Sequence, residues 1–160
     1  MVQSSVKVKG LRPFARKVGN RSKRLQNMEP AYKRAVILYH GWILRNFAAE
    51  GKLHDDAKFH WKPLKPTTLR RRRQRGRGGK ILQDTGGLRR DWELTSSSRQ
   101  GVVASQKFYS SVHEDGAIVK KRGDKGGTFE IPQRKIFPAI PQARTIIQPA
   151  FDAHLDWNRK

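Results

Sequence analysis

The sequence predicts an α+β fold: a long N-terminal amphipathic helix and a C-terminal helix packed on a small antiparallel β-sheet, with a long basic loop between them. Three observations carry this. Residues 28–50 repeat apolar side chains at helical spacing. Residues 92–131 switch to short alternating runs separated by serine and glycine turns. Residues 61–80 fit neither pattern, because two prolines are followed by a run of arginines.

In chain order, residues 1–27 hold eight bases (Lys7, Lys9, Arg12, Arg16, Lys17, Arg21, Lys23, Arg24) and no acid. They read as a basic arm, disordered alone or ordered against a partner, with Arg16 to Leu25 able to form a short basic helix. Residues 28–160 read as one domain. Its first helix places Pro30 in the first turn, where a missing N–H costs nothing. Tyr32, Ala35, Val36, Tyr39, Trp42, Ile43 and Phe47 line one face, Ile37, Leu38 and Leu44 widen it, and Gly51 is a natural stop.

Residues 61–89 form an extended basic loop. Trp61-Lys62-Pro63-Leu64-Lys65-Pro66 must be extended or turned. Thr67 can cap a short helix to Gln74 that carries Arg70, Arg71, Arg72 and Arg73, with Arg75 and Arg77 in a glycine-rich exit. Ile81 and Leu82 are a short apolar anchor, and Asp84 or Thr85 can cap a turn through Leu88 and Arg89.

Alternation at Trp92/Leu94, Val102/Ala104, Tyr109/Ser111/His113 and Phe129/Ile131 predicts three to five antiparallel strands. Turns fall at Ser96 to Ser98, Asp115-Gly116 and Gly123 to Gly127. The prolines at 132, 138 and 141 exclude a regular helix or central strand there. A last helix spans about Gln142 to Trp157, with Ile146, Ile147, Ala150, Phe151 and Leu155 on its apolar face. Pro149 should kink it or delay its start.

Composition limits the function. Thirty-five Lys and Arg against 13 Asp and Glu give a net charge of +22, which needs counterions or a partner: nucleic acid, an anionic membrane or an acidic protein surface. With no cysteine, disulfides, thiolate metal sites and a cysteine nucleophile are excluded, and a reducing cytosol fits. No apolar run approaches the roughly 18 residues of a membrane span. The first residues lack an apolar stretch long enough for a secretory signal, so a soluble protein made in the cytoplasm is expected.

Catalysis finds little support. The histidines lack zinc-hydrolase spacing, and His54, Asp56 and His60 are better read as a solvated loop than as a metal cluster. Gln74 to Ile81 fails the phosphate-loop pattern at two positions, and no nucleophile elbow occurs. Asp55/Asp56 and Glu114/Asp115 are sequence neighbours, and neighbours usually point apart. Catalytic residues, metal ligands and cofactors are all expected to be absent. The arginine run can grip phosphates or carboxylates, but it has no interleaved aromatics for base stacking.

Four groups of residues then occur in order. An amphipathic helix ends near Phe47, and Trp61-x-Pro63-Leu64-x-x-Thr67 precedes the basic stretch. Ile81-Leu82-x-Asp84-Thr85-Gly86-x-Leu88-Arg89 follows it. Last come Tyr109-x-x-x-His113-x-x-Gly116 and Ile131-Pro132-x-Arg134-x-x-Phe137. Over roughly residues 30–145 this order resembles the phage virion morphogenesis family, which includes Mu G-like and tail completion proteins. Arg90-Asp91-Trp92 departs from the family pattern, as do the two residues between Arg134 and Phe137.

The resemblance implies a structural virion protein at the head–tail junction that caps or completes the tail and mediates joining to the head. It also implies a homo-oligomeric ring, hexameric by family expectation, that contacts neck and tail subunits and acts by binding. In that role Trp61 and Leu64 would peg the loop to the core or to a neighbouring subunit, and Ile81 and Leu82 would anchor its return. Asp84 and Thr85 would set the turn that aims Leu88 and Arg89. Arg134 and Phe137 would clasp an interface or cover the sheet edge. Arg70, Arg71, Arg72, Arg73, Arg75 and Arg77 would touch packaged DNA or an acidic partner. The alternative is a basic nucleic-acid-binding protein of ribosomal or nucleoid type; a nuclease using Asp55 or Asp56 is third.

Overall fold

The computed structural model describes residues 11–120 and 127–155, with side chains described from Arg16 onward. Much of the basic arm is helical, as α1 (Leu11–Gln26). Its C-terminal end docks on the last helix of the same chain. Arg24 Nη1 donates to the His154 carbonyl at 3.0 Å, and His154 Nε2 lies 2.9 Å from the Asn27 carbonyl. Residues 1–10 of the arm lie outside the described residues.

Helix α2 (Glu29–Ala48) is the spine, with Pro30 in its first turn. Ala35, Val36, Trp42, Ile43 and Phe47 are buried as their spacing predicts, and Asn46 is buried with them. Ile37 is not part of the covered stripe, because it is 57% exposed. At the end of the helix Gly51 takes a left-handed φ of 85°. A Cβ there would sit 2.3 Å from the Trp61 indole, so the absent side chain is what lets that ring close over the helix terminus.

A 3-10 turn (Ala57–Phe59) precedes the loop, which contains helix α3 (Pro66–Gln74). Thr67 does not cap α3. Lys65 is the extended N-cap residue and Pro66 begins the helix, its fixed φ replacing a side-chain cap. Helix α4 (Gly87–Arg90) starts from Gly86 in a left-handed conformation, so neither Asp84 nor Thr85 caps it.

Two separate antiparallel hairpins follow. Strands β1 (Trp92–Ser96) and β2 (Gly101–Ser105) pair Trp92 with Ser105 and Ser96 with Gly101. Their turn closes where Ser97 N donates to the Gln100 carbonyl at 2.8 Å. This hairpin lies on α2 so closely that a Cβ on Gly101 would meet Val36 Cγ2 at 2.6 Å.

Tyr109/Ser111/His113 is not a strand. Residues Ser110–Asp115 form helix α5, and Asp115-Gly116 is its exit rather than a hairpin turn. Alternation over so few residues does not distinguish strand from helix, and here tertiary contacts favour the helix. It brings Glu114 Oε2 to 2.6 Å from Ile136 N and 3.3 Å from Phe137 N. Strands β3 (Ala117–Lys120) and β4 (Thr128–Ile131) make the second hairpin; residues 121–126 of its turn lie outside the described residues.

Residues 132–139 run without regular structure into helix α6 (Ile140–Leu155), but Pro141 does not exclude helix as expected: it sits in the first turn of α6, where its missing N–H has no intrahelical partner to lose. Pro149 does not delay its start, since α6 already runs from Ile140. Helix α6 packs along α2, where Tyr32 and Phe151 meet edge to face at 5.4 Å. No helix among the described residues is long and apolar enough to cross a membrane.

Gly51→Ala is expected to destabilise the fold by about 2–4 kcal/mol, through positive-φ strain and overpacking against Trp61. Urea unfolding monitored by tryptophan fluorescence measures this.

Candidate functional site

The loop enters through Trp61, only 6% exposed, whose ring meets Phe47 edge to face at 5.3 Å. Its Nε1–H donates to the Lys135 carbonyl at 2.8 Å. The same carbonyl lies 2.8 Å from His54 Nε2 and accepts from Asn46 Nδ2 at 3.4 Å. One backbone oxygen thus joins the end of α2, the start of the loop and the segment after β4.

His54 is 4% exposed, so the solvated-loop expectation for it is corrected. Burial holds its pKa below the ordinary 6.5, against the Lys135 carbonyl and nearby carboxylates. The neutral tautomer with hydrogen on Nε2 donates to Lys135 and leaves Nδ1 buried without a partner. His60 Nε2 reaches the His54 carbonyl at 3.3 Å, while Asp56 accepts from Lys58 N at the 3-10 turn. No group of metal-ligating side chains gathers among the described residues.

The segment after β4 is clamped from both sides. Arg134, 6% exposed, directs Nη2 and Nε at the Lys62 carbonyl, at 3.1 and 3.4 Å. Its own N–H donates to the His113 carbonyl at 2.7 Å. Glu114 holds the next residues through its two backbone contacts and lies 3.3 Å from Lys135 Nζ. Phe137 packs edge to face on Trp92 at 5.7 Å.

The loop returns through Ile81, which is buried in the same core as Trp61, Leu88 and Ile136. Ile81 N donates to Glu50 Oε1 at 2.7 Å, and Gln83 Nε2 donates to the Phe47 carbonyl at 2.8 Å. The first satisfies a backbone N–H at the loop return, and the second adds a donor to a carbonyl at the end of α2 that also accepts from Glu50 N at 3.3 Å. Leu82 adopts a left-handed φ of 57°, a conformation that costs a branched residue about 1–2 kcal/mol. Leu64 and Leu82 pack against the core from its edge. Thr85 and Arg89 are exposed.

Between the two pins the arginines divide. Arg77 Nη1 pairs with Asp84 Oδ2 at 2.7 Å, and Arg72 Nε lies 3.4 Å from Asp84 Oδ1. Arg72 Nη1 also donates to the Lys80 carbonyl at 2.7 Å. These two close the loop on itself through Asp84. Arg70, Arg71, Arg73 and Arg75 are exposed and form the outward charge.

The geometry brings Trp61, Ile81 and Leu88 into the protomer's own core, with Arg134 and Phe137 behind them. It leaves Thr85, Arg89 and five of the six loop arginines at the surface, Arg77 among them despite its pairing with Asp84. Asn46, His54, Glu50, Gln83 and Glu114 do much of the positioning and were not singled out as site residues. Asn46 did carry a signal, because it falls on the buried face of α2 between Ile43 and Phe47. Glu50, Gln83 and Glu114 carry none, because their partners are backbone atoms distant in sequence.

The protein is thus an α+β frame with a long loop fastened at both ends and charged in the middle. The chain belongs to the phage virion morphogenesis family, whose model matches residues 48–156, more than half of it. That is a structural and assembly family of phage particles. The match begins at the end of α2, later than the motif order suggested, and includes the whole of α6. No curated protein and no solved structure matches the chain.

Trp61→Phe keeps most of the ring and loses the bond to Lys135, so it should cost about 1–2 kcal/mol. Trp61→Ala should cost about 3–5 kcal/mol, and denaturant melts separate the two.

Burial also lowers the pKa values of His40 and His113 from 6.5, with Arg134 adding to the effect at His113. The unfolded chain therefore binds protons on these rings at a higher pH than the native one. Stability should be full above about pH 6.5 and fall as the pH drops below it towards the folded values. Thermal melts from pH 7.5 to 5 test this, and His54→Gln should flatten part of the slope.

Proposed function

We propose that this protein is a structural subunit of the head–tail junction that caps or completes the phage tail and mediates its joining to the head. It works as a homo-oligomeric ring, six-membered by family expectation, between neck and tail subunits. It acts by binding, without cofactor or catalysis. Its place is the virion, after assembly in the host cytoplasm.

One observation carries this reading beyond family membership. A loop with Trp61 and Ile81 fixed in the protomer's core holds Arg70, Arg71, Arg73 and Arg75 outward at a defined position. Pinning the ends reduces the ordering entropy lost when such a loop meets a partner. Exposed Thr85 and Arg89 border the same loop and suit a subunit contact. Electron microscopy of phage made without this protein should show free, filled heads beside full-length tails. Joined, infectious particles would overturn the proposal.

A second reading, that the protein binds nucleic acid, is favoured by those four exposed arginines and the net charge of +22. It overlaps the first if the arginines face DNA passing through the ring. Replacing all four with glutamine should leave the fold intact, since exposed substitutions usually shift stability by less than about 0.5 kcal/mol. If each touches a phosphate, the slope of log affinity against log salt should fall by about 3–4. An unchanged slope would assign the arginines to an acidic protein surface instead.

A further inference from the structure

We infer that the cavity behind α3 is a receptor for a single carboxylate on an aliphatic stem, presented by an acidic segment of a different protein. The cavity, about 710 Å³, lies between the loop and the β3–β4 hairpin. Arg134 lines it as a buried cation that no carboxylate among the described residues pairs with. The Lys62 carbonyl takes Nε and Nη2, and no described residue accepts from Nη1. A buried guanidinium held by one neutral carbonyl is an incomplete arrangement, because burying a charge is costly unless it is paired.

The neighbours set the ligand class. Burial, and after it the charge of Arg72 on the same wall, disfavour the charge on Arg134, and the acid beside Arg72, Asp84, is already shared with Arg77. His113 also lines the cavity, with a buried Nδ1 that has no partner. Exposed Lys62, Lys65 and Glu130 mark the mouth. Leu64, Leu82, Leu88 and Ile131 form an apolar wall. The planar fork of arginine matches a carboxylate, and the wall matches the carbons that carry one. A nucleic-acid backbone fits less well, since it brings repeated charge and no apolar flank for the wall of Leu64, Leu82, Leu88 and Ile131.

A second copy of this chain is a poor source, because 13 acids are spread among 35 bases. An acidic segment of another chain satisfies both the cavity and the overall charge. The inference does not depend on the junction assignment, since it concerns only what the cavity takes.

The test is side-chain NMR of the full-length protein, following the Arg134 Nε–H and the His113 ring. The probes are a short acetylated and amidated peptide with one glutamate beside a leucine, its glutamine counterpart, inorganic phosphate and a DNA duplex. The glutamate peptide should give saturable shifts at both side chains, and the glutamine peptide should give none. Arg134→Lys should weaken binding about 10- to 100-fold. Lys62→Gln spares the backbone carbonyl that holds Arg134, and should weaken binding about two- to fivefold with the fold intact. Equal binding of the glutamine peptide would overturn the inference. So would the same shifts from phosphate or duplex at lower concentration, or no response to Lys62→Gln.

Discussion

The carbonyl of Lys135 receives Trp61 Nε1 and His54 Nε2 at 2.8 Å each, with Asn46 Nδ2 beyond them at 3.4 Å. Those donors come from the end of α2, the turn after it and the entry to the basic loop. Lys135 lies far along the chain, between Arg134 and Ile136, which are themselves fixed by His113 and Glu114. Four segments thus meet at one peptide. In a buried setting each of these bonds also prevents an unpaired polar group, which costs more than the bond itself contributes. The arrangement depends on Gly51, since any side chain there would exclude the Trp61 ring.

From this peptide the rest of the loop follows. With Trp61 fixed, the prolines at 63 and 66 lead the chain into α3 without a side-chain cap. Asp84 then pairs with Arg72 and Arg77 and divides a run of like charges into a structural pair and an outward group. The outward group is the part of the molecule best suited to an anionic partner. The clamped segment also holds Arg134 at the wall of a cavity, so one set of contacts builds both the loop and the recess behind it.

The parts legible in the sequence were those set by periodicity or backbone chemistry. The face of α2, the extent of α3, the first hairpin and the irregular stretch from Pro132 to Ala139 follow from spacing and proline, whereas of the second hairpin only Phe129 and Ile131 on β4 were legible and β3 was not. Tyr109 to His113 misled, because a short alternating run is compatible with helix and strand alike. Trp61 and Ile81 were identifiable as pins, but whether they fastened to their own core or to a neighbour was open. Long-range contacts to backbone atoms decided that, and such contacts leave no local pattern. His54 looked solvated for the same reason: its partner is a carbonyl 81 positions away. The division of the arginine run was equally hidden, since six similar side chains give no clue which will reach Asp84.

The central claim is that the basic loop is pinned within the isolated protomer, before any partner binds. Hydrogen exchange of the unassembled protein at single-residue resolution tests it directly. Ile81 N–H, bonded to Glu50, and Ile136 N–H, bonded to Glu114, should exchange slowly with the core of α2. The amides of Gly78, Gly79 and Lys80, in the exposed stretch between α3 and Ile81, should exchange fast. Uniformly fast exchange from Trp61 through Leu88, with Ile81 no slower than Gly79, would contradict it.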